Sequence, residues 1–201
     1  AHVEWEKPMI NTLRNNLMKR WNYSEEKAKQ SVIRFDIQKT AELIHGNWQE
    51  DTIIDYGNDN ADMVIEMGLD GLVADRSVDI IIGQAYSLAG RAQDPDSMKN
   101  DYRNYLFESF VEIVNYYKPQ MFIFENVPGI LSASPGDKLV IERICMAFEK
   151  IGYAIRKPSE MKKSIYSSAD FQVPQERKRV IIIGVNDKSE FNVEDFYASL
   201  D

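Results

Sequence analysis

Val78-Asp79-Ile80-Ile81-Ile82-Gly83 is almost entirely apolar, as buried strands of parallel sheets tend to be. It runs directly into Gln84-Ala85-Tyr86-Ser87, whose small and polar residues are typical of a loop. Other short apolar runs lie at 32–35, 121–124, 153–155 and 180–185, and helical stretches separate several of them. This alternation predicts an α/β fold built on a mostly parallel sheet.

Helical periodicity is clearest in two segments. Residues 102–117 place apolar side chains at helical spacing and are followed by Pro119, and residues 139–151 end before Gly152. Pro8 suits the first turn of an earlier helix. Because no repeat or linker interrupts the pattern, we predict one catalytic domain over residues 1–201.

Composition restricts the class of protein. In 201 residues, 44% are hydrophobic and 28% charged, which is ordinary for a soluble globular domain. Two histidines and one cysteine argue against a zinc site and exclude an internal disulfide. With no apolar run of about 18 residues and no basic, apolar leader, a cytoplasmic location and no membrane contact are expected. The net charge of −8 argues weakly against nucleic acid, although 175–179 is locally basic.

Polar residues stand where apolar strands end. Glu125 directly follows the run at 121–124, and ligands of α/β sheets bind at the carboxyl ends of strands. Arg177 and Arg179 precede the run at 180–185, and strand alternation would send both to the same side. Two guanidinium groups there suit a phosphate or the edge of a planar base. The alternative for Glu125 is a loop acid that caps the next turn, and the alternative for the two arginines is a solvated basic turn.

A second set follows the first two strands. Glu4-Trp5 and Asp36-Ile37 come directly after them, where an acid commonly binds the hydroxyls of a ribose. Trp5 could stack on an adenine, although core packing is the commoner fate of a tryptophan. Cys145 lies on an amphipathic helix, where a cysteine is usually a small buried hydrophobe rather than a nucleophile.

In this order along the chain, the motifs resemble those of the cytosine-5 DNA methyltransferase family. The matching segments are Glu4-Trp5, Asp36-Ile37, Gln84-Ala85-Tyr86-Ser87, Arg103-Asn104-Tyr105-Leu106-Phe107, Glu125-Asn126-Val127 and residues 169–179. The resemblance implies a Rossmann-like, S-adenosylmethionine-dependent methyltransferase sheet, mostly parallel and here incomplete. It also implies methyl transfer to carbon 5 of a flipped cytosine in double-stranded DNA, by a prokaryotic restriction-modification or orphan enzyme. A cognate restriction endonuclease is then a candidate partner.

The same resemblance implies a role for each matching residue. Glu4 would bind the ribose of the cofactor, and Asp36 would accept from its adenine amino group. Trp5 and Ile37 would pack on the adenine ring, and Leu106 would touch the cofactor. Glu125, as a protonated carboxyl group, would bind nitrogen 3 of the cytosine. The remaining roles are bracing by Asn126, base contact by Arg179, loop or phosphate contact by Arg177, and substrate binding by Gln84, Ser87 and Gln175.

Some parts of the family pattern are missing from this sequence. The Gly-Pro-Pro-Cys tract, which carries the nucleophile, is absent between Gly83 and Gln84. The glycine-rich cofactor loop and the target-recognition region are also absent, and Gln172 stands where the family usually has glycine. We interpret the gaps as segments of a longer enzyme that this sequence lacks. The alternatives are an inactive homologue that binds nucleic acid or regulates, and an RNA cytosine-5 methyltransferase.

Overall fold

The computed structural model of the chain describes residues 1–73, 77–84, 106–134 and 137–200. Within them the chain forms two compact units, Ala1–Ser77 and Val78–Asp201. The first unit contains a two-stranded sheet and the second a five-stranded sheet. Strands and helices alternate through both, so the predicted α/β class is confirmed, while the single catalytic domain stays a prediction.

In the first unit, two short strands pair in parallel and helices pack around them. Strand β1 (His2–Glu4) pairs with β2 (Val32–Arg34), and Glu4 lies opposite Arg34. Pro8 stands in the first turn of α1, as expected from its missing amide hydrogen. The helices of this unit are α1 (Lys7–Trp21), α2 (Glu25–Ser31), α3 (Thr40–His45), α4 (Glu50–Tyr56) and α5 (Asp62–Val73).

The buried side chain of Asn60 continues the hydrogen bonding of β2. Its Oδ1 accepts from the Arg34 amide at 2.9 Å, and its Nδ2 donates to the Arg34 carbonyl at 2.8 Å. The same Nδ2 also donates to the Tyr56 carbonyl at 2.9 Å. One side-chain amide therefore pairs with both backbone groups of Arg34, as a neighbouring strand would.

The second unit is a mixed sheet with β7 at its centre. Its strands are β3 (Ile80–Gln84), β4 (Met121–Asn126), β5 (Tyr153–Ile155), β6 (Ile165–Ser167) and β7 (Lys178–Asn186). The pair β3–β4 is parallel, whereas β7 runs antiparallel to β4, β5 and β6. The parallel pairing expected from the sequence therefore holds for β1–β2 and β3–β4.

The helices of the second unit are α6 (Leu106–Tyr117), α7 (Val140–Lys150) and α8 (Val193–Ala198). The helix predicted over 102–117 is described from Leu106 onward, and residues 102–105 lie outside the described ranges. The helix predicted over 139–151 is α7, which Gly152 follows with φ of 86°. In the described part of the chain, no helix is both long and apolar enough to cross a membrane.

Aromatic rings from α6 and α7 cover one face of this sheet. Phe110 stacks on Phe124 at 5.0 Å between ring centroids, and Phe148 stacks on Phe122 at 3.9 Å. Glycine makes this approach possible, since a Cβ atom at Gly184 would lie 2.1 Å from the Phe122 ring. The rings rest directly on the sheet backbone as a result.

Tyr197 of α8 bridges a gap between two strands that flank β7. On that edge, β6 pairs with residues Lys178 to Val180 and β5 with Gly184 to Asn186. Between them, the Tyr197 hydroxyl accepts from the Ile183 amide at 2.8 Å and donates to the Ile181 carbonyl at 3.1 Å. The buried Arg156 lies over the Tyr197 ring at 3.5 Å.

Replacing Tyr197 by phenylalanine should lower the free energy of unfolding by about 1–3 kcal/mol, because two buried backbone groups would lose their partner. Chemical denaturation of the purified protein measures this change. Tyr116→Phe is the control, since Tyr116 is 47% exposed and should change stability by less than about 0.5 kcal/mol. Equal stability of the two variants would contradict the bridging role.

Candidate functional site

Glu125 lies near the carboxyl end of β4, opposite Ile181 of β7 and Gln84 of β3. Its Oε1 accepts a hydrogen bond from Arg179 Nε at 2.8 Å and lies 3.9 Å from Arg177 Nη2. Since β7 is antiparallel to β4, Arg179 comes diagonally across from Glu125 on the same face. The predicted common side of the two arginines is therefore confirmed.

The two arginines differ in how firmly they are held. The Arg179 side chain is 19% exposed, and its Nη1 also donates to the Lys178 carbonyl at 2.8 Å. The Arg177 side chain is 46% exposed and only touches Glu125 at the limit of an ion pair. Arg179 is thus fixed beside the carboxylate, whereas Arg177 can reach a group arriving from outside.

Asn126 takes a different position from its neighbour Glu125. It faces the side of the sheet that α6 and α7 cover, and it is 5% exposed. Its Oδ1 accepts from the Val127 amide at 2.8 Å, which fixes the turn after β4. A bracing position behind Glu125 fits this arrangement.

Of the three residues predicted to bind substrate, the structure describes two. Gln84 ends β3 and pairs through its backbone with Glu125. Gln175 is exposed, and its amide donates to the Val173 carbonyl at 2.7 Å. It does not line the cleft described next. Ser87 lies outside the described residues.

Glu125 and both arginines line an open cleft of about 510 Å³. Its floor is the apolar face of β4 and β7, and its rim carries hydroxyl and aromatic side chains. These further lining residues include Met121, Ile123, Ile181, Ile183, Tyr166, Ser167, Ser168, Phe171 and Phe196. A carboxyl group and guanidinium donors at one end of an apolar cleft suit a planar ring with polar edges.

The predicted cofactor residues of the first unit also come together. The Phe35 amide donates to the Glu4 carbonyl at 3.0 Å, so Glu4-Trp5 and Asp36-Ile37 leave their strands at the same edge. Glu4 Oε1 accepts from the amides of Trp5 and Glu6, at 2.8 and 3.0 Å. These bonds hold the carboxylate at the strand end, where a ribose hydroxyl could reach it.

Trp5 and Asp36 have the exposure that a nucleoside contact requires. Trp5 is 44% exposed, so its ring is not a packed core residue. Asp36 is half-buried and accepts from the Gln38 amide at 3.0 Å, and Ile37 beside it is also half-buried. Leu106 belongs to the second unit, where it begins α6 and is buried. An acid and an exposed aromatic ring that leave their strands at one edge could hold a nucleoside.

A sequence model of C-5 cytosine-specific DNA methylases matches residues 26–199. That range is most of the chain and contains Asp36, Glu125, Arg177 and Arg179. The chain belongs to the C-5 cytosine-specific DNA methylase family. The resemblance inferred from motif order is therefore confirmed.

Curated relatives of this chain include bacterial type II methyltransferases. M.Bpa9945I of Bacillus paralicheniformis is 45% identical over 126 residues, which are 60% of this chain and 28% of the relative. M1.HphI of Haemophilus parahaemolyticus is 34% identical over 119 residues, or 57% of this chain and 29% of the relative. The chain thus spans less than a third of the length of these relatives.

A solved structure from E. coli shares the fold of this chain. It is described as a DNA modification methyltransferase encoded within a prophage, and it superposes with a TM-score of 0.57. The match covers 96% of this chain and 42% of that chain, at 19% sequence identity. At this identity the likeness supports the predicted methyltransferase fold and nothing further.

The backbone at Gln172 has a conformation that favours glycine. Its φ of 62° lies in the left-handed region, which L side chains rarely adopt. The segment before it was missed by sequence reasoning, because β6 has only three residues and no long alternation. Two contributors to the cleft rim, Tyr166 and Ser167, belong to that strand.

Cys145 is buried on α7, as predicted, and its Sγ lies 3.8 Å from the Arg156 carbonyl. Burial, with a smaller contribution from the Glu149 carboxylate, raises the pKa of the Cys145 thiol to about 12. A thiol that stays protonated is a poor nucleophile. Cys145 is therefore not a candidate nucleophile.

This thiol should make stability fall at alkaline pH. The unfolded thiol ionises near a pKa of about 8.5, so between about pH 8.5 and 12 the unfolded chain binds fewer protons than the folded one. Stability present below pH 8.5 should then be lost as pH rises, by on the order of a few kcal/mol. Denaturation at pH 8 and 10.5 measures the loss, and Cys145→Ala should make it smaller. An equal loss in both proteins would contradict the assignment.

Proposed function

We propose that the full-length protein transfers a methyl group from S-adenosylmethionine to carbon 5 of a cytosine in double-stranded DNA. The observation that carries the proposal is the 2.8 Å contact between Glu125 and Arg179 at the end of an apolar cleft, in a chain of the DNA methylase family. A cytosine presents nitrogen 3 and its neighbouring polar groups along one edge. A carboxyl group beside a guanidinium group can bind that edge.

Glu125 would hold a proton between its carboxyl group and nitrogen 3 of the cytosine. Carbon 5 is a poor nucleophile until a thiolate adds at carbon 6, and the negative charge that then develops in the ring is offset at nitrogen 3. Arg179 would orient Glu125 and contact the base, and Asn126 would fix the turn behind them. Arg177 and Gln175, with Gln84 and Ser87, would contact the DNA around the extruded base.

S-adenosylmethionine would supply the methyl group. Glu4 would bind its ribose hydroxyls, and Asp36 its adenine amino group. Trp5 and Ile37 would lie against the adenine ring, and Leu106 stays a predicted cofactor contact. The shared strand edge and the exposure of Trp5 support this set.

The names of the relatives support a restriction-modification role, in which a cognate endonuclease cuts the unmethylated site. A second candidate function is an inactive homologue that binds nucleic acid or regulates. It is favoured by one observation, since Gly83 and Gln84 are adjacent in this sequence and no cysteine of the described residues lies in the cleft.

Labelled methyl transfer tests the proposal. The full-length protein is incubated with S-adenosylmethionine and either duplex DNA or RNA, and the product is examined by mass spectrometry. Formation of 5-methylcytosine in DNA is the expected result. The absence of product in both substrates would overturn the proposal in favour of the inactive homologue, and product in RNA alone would identify an RNA enzyme.

Either Gly83 and Gln84 are directly joined, or a segment with the nucleophile lies between them. Peptide mapping of the natural protein decides between the two. Trypsin cleaves after Arg76 and Arg91. A peptide running from Ser77 to Arg91 is expected only if Gly83 and Gln84 are joined, which favours the inactive homologue. A longer peptide with a cysteine after Gly83 supports the enzyme.

A further inference from the structure

The loop from Ser168 to Arg177, here called the rim loop, is closed at its ends. The amide and the hydroxyl of Ser168 both donate to the Arg177 carbonyl, at 3.0 and 3.1 Å. Inside the loop, the amides of Gln172 and Val173 donate to the carbonyls of Ala169 and Ser168, each at 3.2 Å. A loop tied in this way loses little conformational entropy when it binds a partner.

The rim loop nevertheless presents large apolar side chains to solvent. Phe171 is 50% exposed and Val173 is 45% exposed. The Phe171 ring lines the same cleft as Glu125, and its centroid lies 6.1 Å from that of Tyr166. Exposed apolar groups on a fixed loop beside a cleft are candidates for a binding surface.

The charges beside Phe171 indicate the chemistry of the partner. Arg177 ends the rim loop with a half-exposed guanidinium group that lies 3.9 Å from Glu125. Lys178 follows it, and its Nζ lies 3.4 Å from the carboxylate of the exposed Glu176. Since Lys178 is paired with Glu176, the group that favours an anion beside the exposed ring is the Arg177 guanidinium. An aromatic ring next to a guanidinium group fits a partner that is both planar and anionic. Bases and phosphates of nucleic acid have those properties.

We propose that Phe171 packs against a nucleobase next to the methylated cytosine. The inference rests on the proposed function, because extrusion of the cytosine is what leaves a neighbouring base without its stacking partner. The Phe171 ring, at the mouth of the cleft, replaces that partner. Arg177 then contacts the adjoining phosphate.

Duplex DNA with 2-aminopurine beside the target cytosine tests the contact in the full-length protein, because stacking quenches its fluorescence. Phe171→Ala should weaken DNA binding about tenfold and leave the probe brighter in the complex. Phe171→Trp should retain both binding and quenching. Tyr116→Ala is the matched control. Tyr116 is similarly exposed, at 47%, but it belongs to α6, the helix that covers the face of the sheet opposite the cleft.

Three outcomes overturn the proposal. Unchanged binding and quenching in Phe171→Ala, with methyl transfer intact, would refute the contact and leave the proposed function standing. A melting temperature several degrees lower in DNA-free Phe171→Ala would show that another part of the protein covers the ring. Failure of the unmodified protein to bind DNA would refute the proposed function as well.

Discussion

Glu125→Gln should lower the rate of methyl transfer by the full-length enzyme about 10²- to 10⁴-fold, the range typical of a group that manages a proton in the transition state. Glutamine keeps the shape of the side chain and can still accept from Arg179. It lacks the exchangeable acidic proton that offsets charge at nitrogen 3. Single-turnover transfer of a labelled methyl group, with DNA and cofactor saturating, measures the chemical step.

Glu108→Gln is the matched control for this experiment. Glu108 is also a carboxylate paired with an arginine, 3.2 Å from Arg143, but its side chain is 54% exposed and it lies on α6. Its replacement should leave the rate unchanged. A rate for Glu125→Gln within twofold of the unmodified enzyme would contradict the role of the carboxyl group.

A double-mutant cycle extends the test to Arg179. Because Arg179 Nε holds Glu125 Oε1 at 2.8 Å, the two side chains should act as a unit. The double variant Glu125→Gln with Arg179→Gln should then be little slower than the slower single variant. Strictly multiplicative effects would show that the contact has no part in the chemistry.

Gly184→Ala should lower the free energy of unfolding by about 3 kcal/mol, the upper part of the range for overpacking a core. The new methyl group would lie 2.1 Å from a carbon of the Phe122 ring. That ring is fully buried and stacked on Phe148, so it has no free space in which to move. Chemical denaturation of the purified protein measures the loss.

Two further variants separate crowding from backbone strain. Gly152→Ala introduces a methyl group with only one neighbour, at 3.9 Å, although its φ is 86°. It should lose about 1 kcal/mol from the left-handed conformation alone. Adding Phe122→Leu to Gly184→Ala should recover part of the lost stability, because the smaller side chain makes room for the new methyl group. Equal losses in the two glycine variants would contradict crowding at Gly184.

Several features were predicted from local sequence because their causes are local. The apolar runs at 32–35, 121–124 and 180–185 formed strands, and the amphipathic segment at 139–151 formed α7. Glu125 and Arg179 were found because a charged residue at the boundary of an apolar strand is conspicuous. Trp5 was left open between core and ligand, and its exposure now favours the ligand.

Features that depend on contacts between residues far apart in the chain could not be predicted from the local sequence. The three residues of β6 become a strand only because β7 offers them an unpaired edge, and the Tyr197 hydroxyl pairs with backbone groups in another element. Neither depends on a repeat or a periodic pattern. The left-handed φ of Gln172 likewise shows itself only once the turn is formed.

The sequence by itself determined the family, the alternation of strands and helices, and the acids and arginines at the strand ends. Only the tertiary structure decided that β7 runs antiparallel to β4, which brings Arg179 to Glu125 across 54 positions of chain. It also decided that Glu125 faces the cleft while Asn126 faces the helices. Strand and helix patterns depend on residues that are close in the chain, so they can be predicted from the sequence. The direction of a strand depends instead on which sheet edge is unpaired and which apolar face is uncovered in the folded protein.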